Sequence, residues 1–399
     1  MTPIRLRPTM MAGLAVMALA NAASAASAQQ VITLTPLSNQ RTVLASVRPG
    51  DTLRITGTFT TPFVVRNRDF GDVQVDASGA VFQAGMVLSN VHNLGFSGGT
   101  FGRNDMELRS WQTVRVELSS NISLAQGLYL GNNDNRGTGL QILQSHQVTV
   151  QDSKFDGHGS AGIAARTSTG VLVTRNAITR SFGDGINVID SQRVIVSSNS
   201  CSAFNPGAGS HPDCVQLWSL AGRPLQADIA VLNNSAIGRM QGFVAFDPRT
   251  GSGERLIFAG NYAAITYTHG VSCTRCNDSI FIDNILSNQQ DARWGAPSVR
   301  LTEGLRNLVA GNQSFDVRAL AGQPGFELPS PVWSSFTPVW AGSVGSQIGS
   351  LFASSVNEPP VSVSSVPEPA SWLMLGFGFV AVGRQLRRRQ HQQLKWVAA

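Results

Sequence analysis

Val171-Leu172-Val173-Thr174-Arg175-Asn176 is followed by Val194-Ile195-Val196-Ser197-Ser198-Asn199, the same phrase, apolar-x-apolar-x-x-Asn, set 23 residues further along the chain (194 − 171). It returns at Ile229 to Asn234, at Ile257 to Asn261 with one residue fewer, at Ile280 to Asn284 and at Leu308 to Asn312, and Val148 to Ser153 fits with Ser in place of Asn. The closing positions 153, 176, 199, 234, 261, 284 and 312 step by 23, 23, 35, 27, 23 and 28 residues, a base period near 23 with longer turns inserted in some units. Such a unit is too short to bury an apolar face alone and becomes stable only when stacked on its neighbours.

Each unit opens on a glycine and an apolar residue: Gly139-Leu140, Gly162-Ile163, Gly185-Ile186, Gly242-Phe243 and Gly270-Val271, with Cys214-Val215 as the variant. Between these starts and the Asn corners, apolar residues alternate over four to six positions with β-branched types enriched, and no long stretch has the 3.6-residue period of a helix. The expected fold is all-β, a single-stranded parallel β-helix of roughly 23–28-residue coils, three short strands wound around a core, with equivalent residues about 4.8 Å apart from coil to coil. Asn at one corner then forms a ladder of side-chain amides.

This pattern resembles the pectin-lyase-like superfamily of right-handed parallel β-helices over about residues 90–320, with residues 41–101 as its N-terminal lead-in and Val47-Arg48-Pro49-Gly50-Asp51 before the first strand. The resemblance implies the right hand of the winding.

The two ends read differently. Arg5 and Arg7, the apolar run Met10 to Ala20 and the small-residue site Ala26-Ser27-Ala28 make residues 1–28 a secretory signal of Sec type. Residues 29–328 are then the β-helix domain and 329–365 a Pro/Ser/Gly-rich linker. Residues 366–390 hold Pro367-Glu368-Pro369, an uncharged stretch over 370–383, and Arg384, Arg387, Arg388 and Arg389. An apolar stretch with arginines behind it stops in a membrane with the basic cluster in the cytoplasm, although about 20 apolar residues are needed to span without thinning the lipid. This tail resembles the PEP-CTERM sorting signal of Gram-negative bacteria. The resemblance implies an exosortase as partner, transient inner-membrane anchorage, and delivery to the cell surface or extracellular matrix.

The net charge of +6 belongs to these ends: Arg5, Arg7, Arg384, Arg387, Arg388, Arg389 and Lys395 against Glu368 account for all of it. The neutral body carries no basic block, so nucleic acid is excluded as a partner.

Functional residues must be those that break the repeat without improving packing. With the unit starts superposed, the preceding position reads Ala161, Asp184, Asp213, Gln241 and His269, which places two acids on adjacent coils. The outward positions of the first strand stack as Ala164, Asn187, Gln216, Val244 and Ser272, and beside them as Arg166, Ile189, Trp218, Phe246 and Thr274. Paired carboxyls at coil spacing raise one another's pKa and suit acid/base chemistry or Ca²⁺; as turn residues, Asp before Gly would instead bond the backbone. Asp184, Asp213 and His211, which arrives through the long loop Asn205 to Ser210, are the candidate catalytic residues. Arg166, Asn187, Gln216 and Arg249 are candidates for hydrogen bonding a glycan, and Trp218 and Phe246 for stacking on it.

Polysaccharide or exopolysaccharide is therefore the expected partner, and three roles are open. A hydrolase would use one Asp as acid and the other as base. The resemblance to β-helix pectate and alginate lyases implies Ca²⁺ on the acids and an Arg base, since Lys154 is the only lysine of the body and lies beyond the Asn corner. A non-catalytic surface or biofilm-matrix scaffold needs none of this. Gly157-His158-Gly159 is similar to a polygalacturonase tripeptide, but that family's Asn-Thr-Asp, Asp-Asp and Arg-Ile-Lys do not occur, and His158 reads as a turn residue. His211-Pro212-Asp213 permutes the Asp-Pro-His-Asp of mannuronan epimerases without reproducing it. Cys201, Cys214, Cys273 and Cys276 are expected as two disulfides in an exported chain. A Cys201–Cys214 bridge would pin the loop that carries His211. Zinc through Cys273, Cys276 and His269 is the poorer alternative, because no second Cys-x-x-Cys exists.

Overall fold

The computed structural model describes residues 29–102, 112–132, 137–207, 209–220, 223, 225–245 and 253–317. Within them the chain winds into an all-β right-handed parallel solenoid of about 9 turns. The coil that opens at Ala161 shows the plan. Its strands Ala161–Arg166, Thr169–Thr174 and Ala177–Thr179 lie in the first, second and third sheets. Each pairs in parallel with the strand one coil on, through Ala161↔Asp184, Val171↔Val194 and Ile178↔Cys201.

Strand alternation decides what enters the core. Ile163, Ala165, Val171, Val173 and Ile178 point inward and are buried, while Arg166, Thr169 and Leu172 face out. On the third sheet the single inward position of each coil stacks aromatics: Phe82 on Phe101 at 5.0 Å between ring centroids, Phe101 on Tyr129 at 4.9 Å and Tyr129 on Phe155 at 4.2 Å. The same column continues as Ile178, Cys201, Ala236, Ala263 and Leu286. The glycine at each unit start is explained at Gly185, where a Cβ would lie 2.5 Å from the Cys214 carbonyl oxygen and 2.7 Å from Cys201 Sγ.

Both corners flanking the second sheet are held by polar ladders. At the expected one, Asn199 Oδ1 accepts the Asn176 backbone N–H at 2.9 Å and Asn199 Nδ2 donates to the Val173 carbonyl at 2.9 Å. Asn234, Asn261, Asn284 and Asn312 repeat this contact with the residue one coil before. The residue ahead of each ladder position takes a left-handed backbone: Asp152, Arg175, Ser198, Asn233, Gly260, Asp283 and Gly311 all have φ between 51° and 66°. The other corner carries a serine ladder, Ser119, Ser145, Ser168 and Ser191, in which each backbone N–H donates to the next hydroxyl at 3.1–3.2 Å.

The winding begins earlier than the sequence suggests. Val31–Leu34 already pairs with Thr52–Phe59, so Val47 to Asp51 follows the first strand instead of preceding it. Between the two lies a short helix, Gln40–Ser46, started by Asn39, whose side chain accepts the Thr42 N–H at 3.1 Å. Asp51 fastens this lead-in by accepting the backbone N–H groups of Arg48 and Gln30 at 2.8 and 3.1 Å.

Asn199 is wholly buried. Removing its amide leaves the Asn176 N–H and the Val173 carbonyl without side-chain partners in the interior, so Asn199→Ala should lower stability by about 2–4 kcal/mol. Denaturant unfolding reads this, and a loss under about 0.5 kcal/mol would mean that the ladder does not hold the coils together.

Candidate functional site

The first sheet brings the candidate residues onto one wall. Ala161↔Asp184 and Asp213↔Gln241 are in register, and Ile186↔Val215 carries the same alignment from Asp184 to Asp213. The outward column runs Gln141, Ala164, Asn187, Gln216, Val244, Ser272 and Arg300, and the one beside it Arg166, Ile189 and Trp218. Phe246 and Arg249 lie outside the described residues, as do Pro367, Glu368 and Pro369.

Asp184 is half-buried at the start of Asp184–Ile189. Its Oδ1 accepts the Asp213 backbone N–H at 2.8 Å and its Oδ2 the Asn187 side-chain amide at 3.1 Å. Burial raises its pKa to about 6 against the lowering effects of those two bonds and of the nearby His211. Asp213 is 1% exposed, and burial, then the Asp184 charge, hold its carboxyl well above the usual range. The pair thus keeps one proton at a pH where ordinary carboxyls keep none. His211 is exposed on the loop between them, and the Tyr267 hydroxyl anchors that loop by donating to the Ser210 carbonyl at 2.8 Å.

Four polar atoms on this wall are buried with no hydrogen-bond partner among the described residues: Asp213 Oδ1, Asn187 Oδ1, Trp218 Nε1 and Arg166 Nε. Buried polar groups are almost always satisfied, so a local cluster of exceptions calls for an explanation. Above them His269 pairs through Nδ1 with the Ser272 hydroxyl at 2.8 Å, and its pKa is lowered by burial first, then by Arg300 and His211. Arg300 was readable from the sequence, because it continues the Ser272 column one coil on.

Two features lie deeper than the sequence indicates. His158 stands in the turn between Lys154–Asp156 and Ala161–Arg166, as expected, but points inward: it is 1% exposed, its Nε2 lies 3.1 Å from the Tyr129 carbonyl, and burial lowers its pKa to about 4. It packs beneath the aromatic column and has no access to the wall. Cys201 and Cys214 are joined, but across the interior between the third and first sheets, with both residues fully buried. The bridge joins the residues that flank the His211 loop, and Tyr267 adds a second tether to it. Cys273 and Cys276 are joined across the turn that holds Arg275.

A family model described as "Right handed beta helix region" matches residues 83–243 and 138–316, more than half of the chain, and the chain belongs to this family. A second, the PEP-CTERM protein-sorting motif, matches residues 365–389 and marks the chain for export and cell-surface sorting. Among solved structures the chain is similar in fold to pectate lyase Pel9A, at 15% identity over 72% of this chain and 80% of that one with a TM-score of 0.47. It is likewise similar to PfbA, a surface adhesin of Streptococcus pneumoniae, at 10% identity over 70% and 81% with a TM-score of 0.46. DFA-IIIase from Arthrobacter chlorophenolicus A6 follows at 15% over 66% and 68% with a TM-score of 0.34. No curated protein matches. Among the described residues no helix is long and apolar enough to cross a membrane.

The wall's electrostatics set a pH test. Asp184, with a folded pKa of about 6 against 3.8 unfolded, binds more protons when folded; its contribution is full below about pH 4 and lost as pH rises through about 6. His158 works in the opposite sense, its stability present above 6.5 and lost as pH falls through about 4. Asp184→Asn should therefore steepen the rise of stability between about pH 4 and 6.5, measured as denaturation midpoints; parallel profiles for the variant and the wild type would contradict the shift.

Proposed function

We propose that the outer wall of the first sheet binds a polysaccharide chain and that the Asp184–Asp213 pair hydrolyses it. One observation carries the reading: Asp213 buries a carboxyl whose Oδ1 has no partner among the described residues, beside a second acid. The neighbouring rungs of the same ladder are Thr138, Ala161 and Gln241, none of them charged. A rung that only closes a turn is served by Ala or Thr, whereas an unpaired buried acid weakens the fold. Trp218 and Arg166 on the adjacent column offer an aromatic face and a guanidinium to a sugar chain.

In the proposed step the protonated Asp213 gives its proton to the glycosidic oxygen as the bond to the anomeric carbon breaks. Water attacks that carbon, and Asp184, ionised above about pH 6, takes the water's proton. Lyase chemistry through Ca²⁺ requires both acids ionised as ligands. Among the described residues no three His, Cys, Asp or Glu side chains converge as a metal site.

Delivery follows the two ends of the chain. Residues 1–28 would direct Sec-type export, and the stretch over 370–383 would hold the protein in the inner membrane of a Gram-negative cell. An exosortase acting at Pro367-Glu368-Pro369 would then pass it to the surface or the exopolysaccharide matrix. A second reading, a non-catalytic surface scaffold, draws support from the bond between Asp184 Oδ1 and the Asp213 N–H, a contact that a turn-forming aspartate also makes.

Incubation with a panel of acidic and neutral bacterial polysaccharides should yield new reducing ends without unsaturated product. Asp184→Asn and Asp213→Asn should each lower the rate roughly 10²–10⁴-fold, and Asp213→Asn should leave stability equal or raised, because it removes an unpaired buried acid. Unsaturated product abolished by a chelator would mean a lyase, and silence across the panel would favour the scaffold.

A further inference from the structure

The turns that carry the chain from the third sheet to the first form one edge of the candidate wall, and beyond Asp213 that edge becomes basic. Arg239 stands in the turn between Ser235–Gly238 and Gln241–Ala245, where the fully buried Met240 beside it fixes the turn and leaves the arginine exposed. His269 opens the next coil, and its Nδ1 pairs with the Ser272 hydroxyl. Arg293, in the longer turn before Ser298–Thr302, lies over Trp294 with its guanidinium carbon 5.0 Å from the ring centroid. Arg300 follows on the outward column of the first sheet, its Nε donating to the Ser298 hydroxyl at 3.3 Å. His211 is drawn toward the same place, because Tyr267, two coils on from Asp213, holds the carbonyl of Ser210. The charges of Arg300 and His211 both act on His269.

On other corners Arg175, Arg180, Arg255, Arg275 and Arg306 each pair with an acid of a neighbouring coil. Arg239, Arg293 and Arg300 have no acid partner among the described residues, and Asp291, in the same turn as Arg293, pairs with none of them. Basic groups gathered in this way repel one another until an anion lies between them. We propose that this edge is a binding site for an anionic group of a sugar chain, a carboxylate or a sulfate, and that the polysaccharide on the wall is therefore an acidic one. Guanidinium groups hold such oxyanions through paired N–H donors, and the imidazoles of His211 and His269 add further donors. His269 stands two coil steps from Asp213 and Arg300 three from Gln216, about 10 and 14 Å along the axis. An anion placed at the acids would meet the charge of Asp184; displaced along the axis by that distance it meets cations instead. The offset gives the bound chain one direction and selects which of its sugars faces the acids. The inference rests on the wall's taking a polysaccharide, and does not require the acids to be catalytic.

Affinity electrophoresis of the full-length protein tests this with two anionic probes, alginate for carboxylate and dextran sulfate for sulfate. Each has a neutral counterpart of the same backbone, carboxyl-reduced alginate and dextran. At least one anionic probe should retard the wild type while its neutral counterpart does so far less, and the probe that does names the group the edge takes. Arg239→Gln with Arg300→Gln, both at exposed positions, should weaken that retention roughly tenfold or more. Arg175→Gln with Arg306→Gln, which removes the same charge from another corner, should change it by less than about twofold. The proposal is overturned if neither anionic probe is retained, if the neutral forms are retained equally, or if the two arginine pairs act alike, which would make the attraction one of overall charge. Trp218→Ala separates the two readings. If it releases both forms of a probe while the edge variant releases neither, the wall is a glycan site and the anion site is overturned. If the edge variant alone releases the anionic form, the anion site stands and the glycan reading of the wall falls.

Discussion

The parallel strand pairing of one coil on the next governs everything else in this molecule. Each coil offers its N–H and C=O groups to its neighbours, so residues one turn apart are forced into register at about 4.8 Å. At the corners most backbone groups still pair coil to coil, as the Arg175 N–H does with the Ser197 carbonyl at 3.2 Å, but the N–H at each ladder position is left for a side chain to satisfy. The Asn and Ser ladders do so from side chains, which is why amides and hydroxyls stand fully buried in an otherwise apolar cylinder. The left-handed residue before each Asn turns the chain sharply enough for the amide to reach the coil beside it.

The same register that stacks valines on valines also stacks functional groups. Asp184 and Asp213 stand together because a solenoid brings residues 29 apart in sequence (213 − 184) into adjacent places. One carboxyl then raises the pKa of the other without any dedicated binding loop. Arginine and aspartate pairs elsewhere use this spacing for a plainer purpose: Arg175 with Asp152, Arg180 with Asp156, Arg255 with Asp228 and Arg306 with Asp278 each join successive coils on the outside. Exposed pairs of this kind add little individually. The contrast is with Asp213, which pairs with no cation among the described residues and is buried instead.

Asn176, Asn199, Asn234, Asn261, Asn284 and Asn312 made the fold legible, because one uncommon residue type recurs at a nearly constant interval. The serine corner was invisible by comparison: Ser119, Ser145, Ser168 and Ser191 recur at a similar interval, but serine is so frequent in turns that its spacing carries little signal. The aromatic column escaped notice because its members differ in type and stand singly in each coil. Alternation placed Trp218, Gln216 and Asn187 on the outer wall, and the structure puts them there. It gave no warning that His158 or the Cys201–Cys214 bridge would be interior, since both lie at turns or strand ends where a two-residue period does not report direction.

Carboxyl carbon chemical shifts of aspartate-labelled protein, followed from about pH 3 to 9 with Asp184→Asn and Asp213→Asn as assignments, address the acid pair without assuming a substrate. The account predicts one carboxyl titrating near 6 and its partner holding its proton well above the ordinary carboxylate range, each moving when the other is replaced. Two independent titrations near 4 would contradict it, and would leave the pair as turn residues of a scaffold.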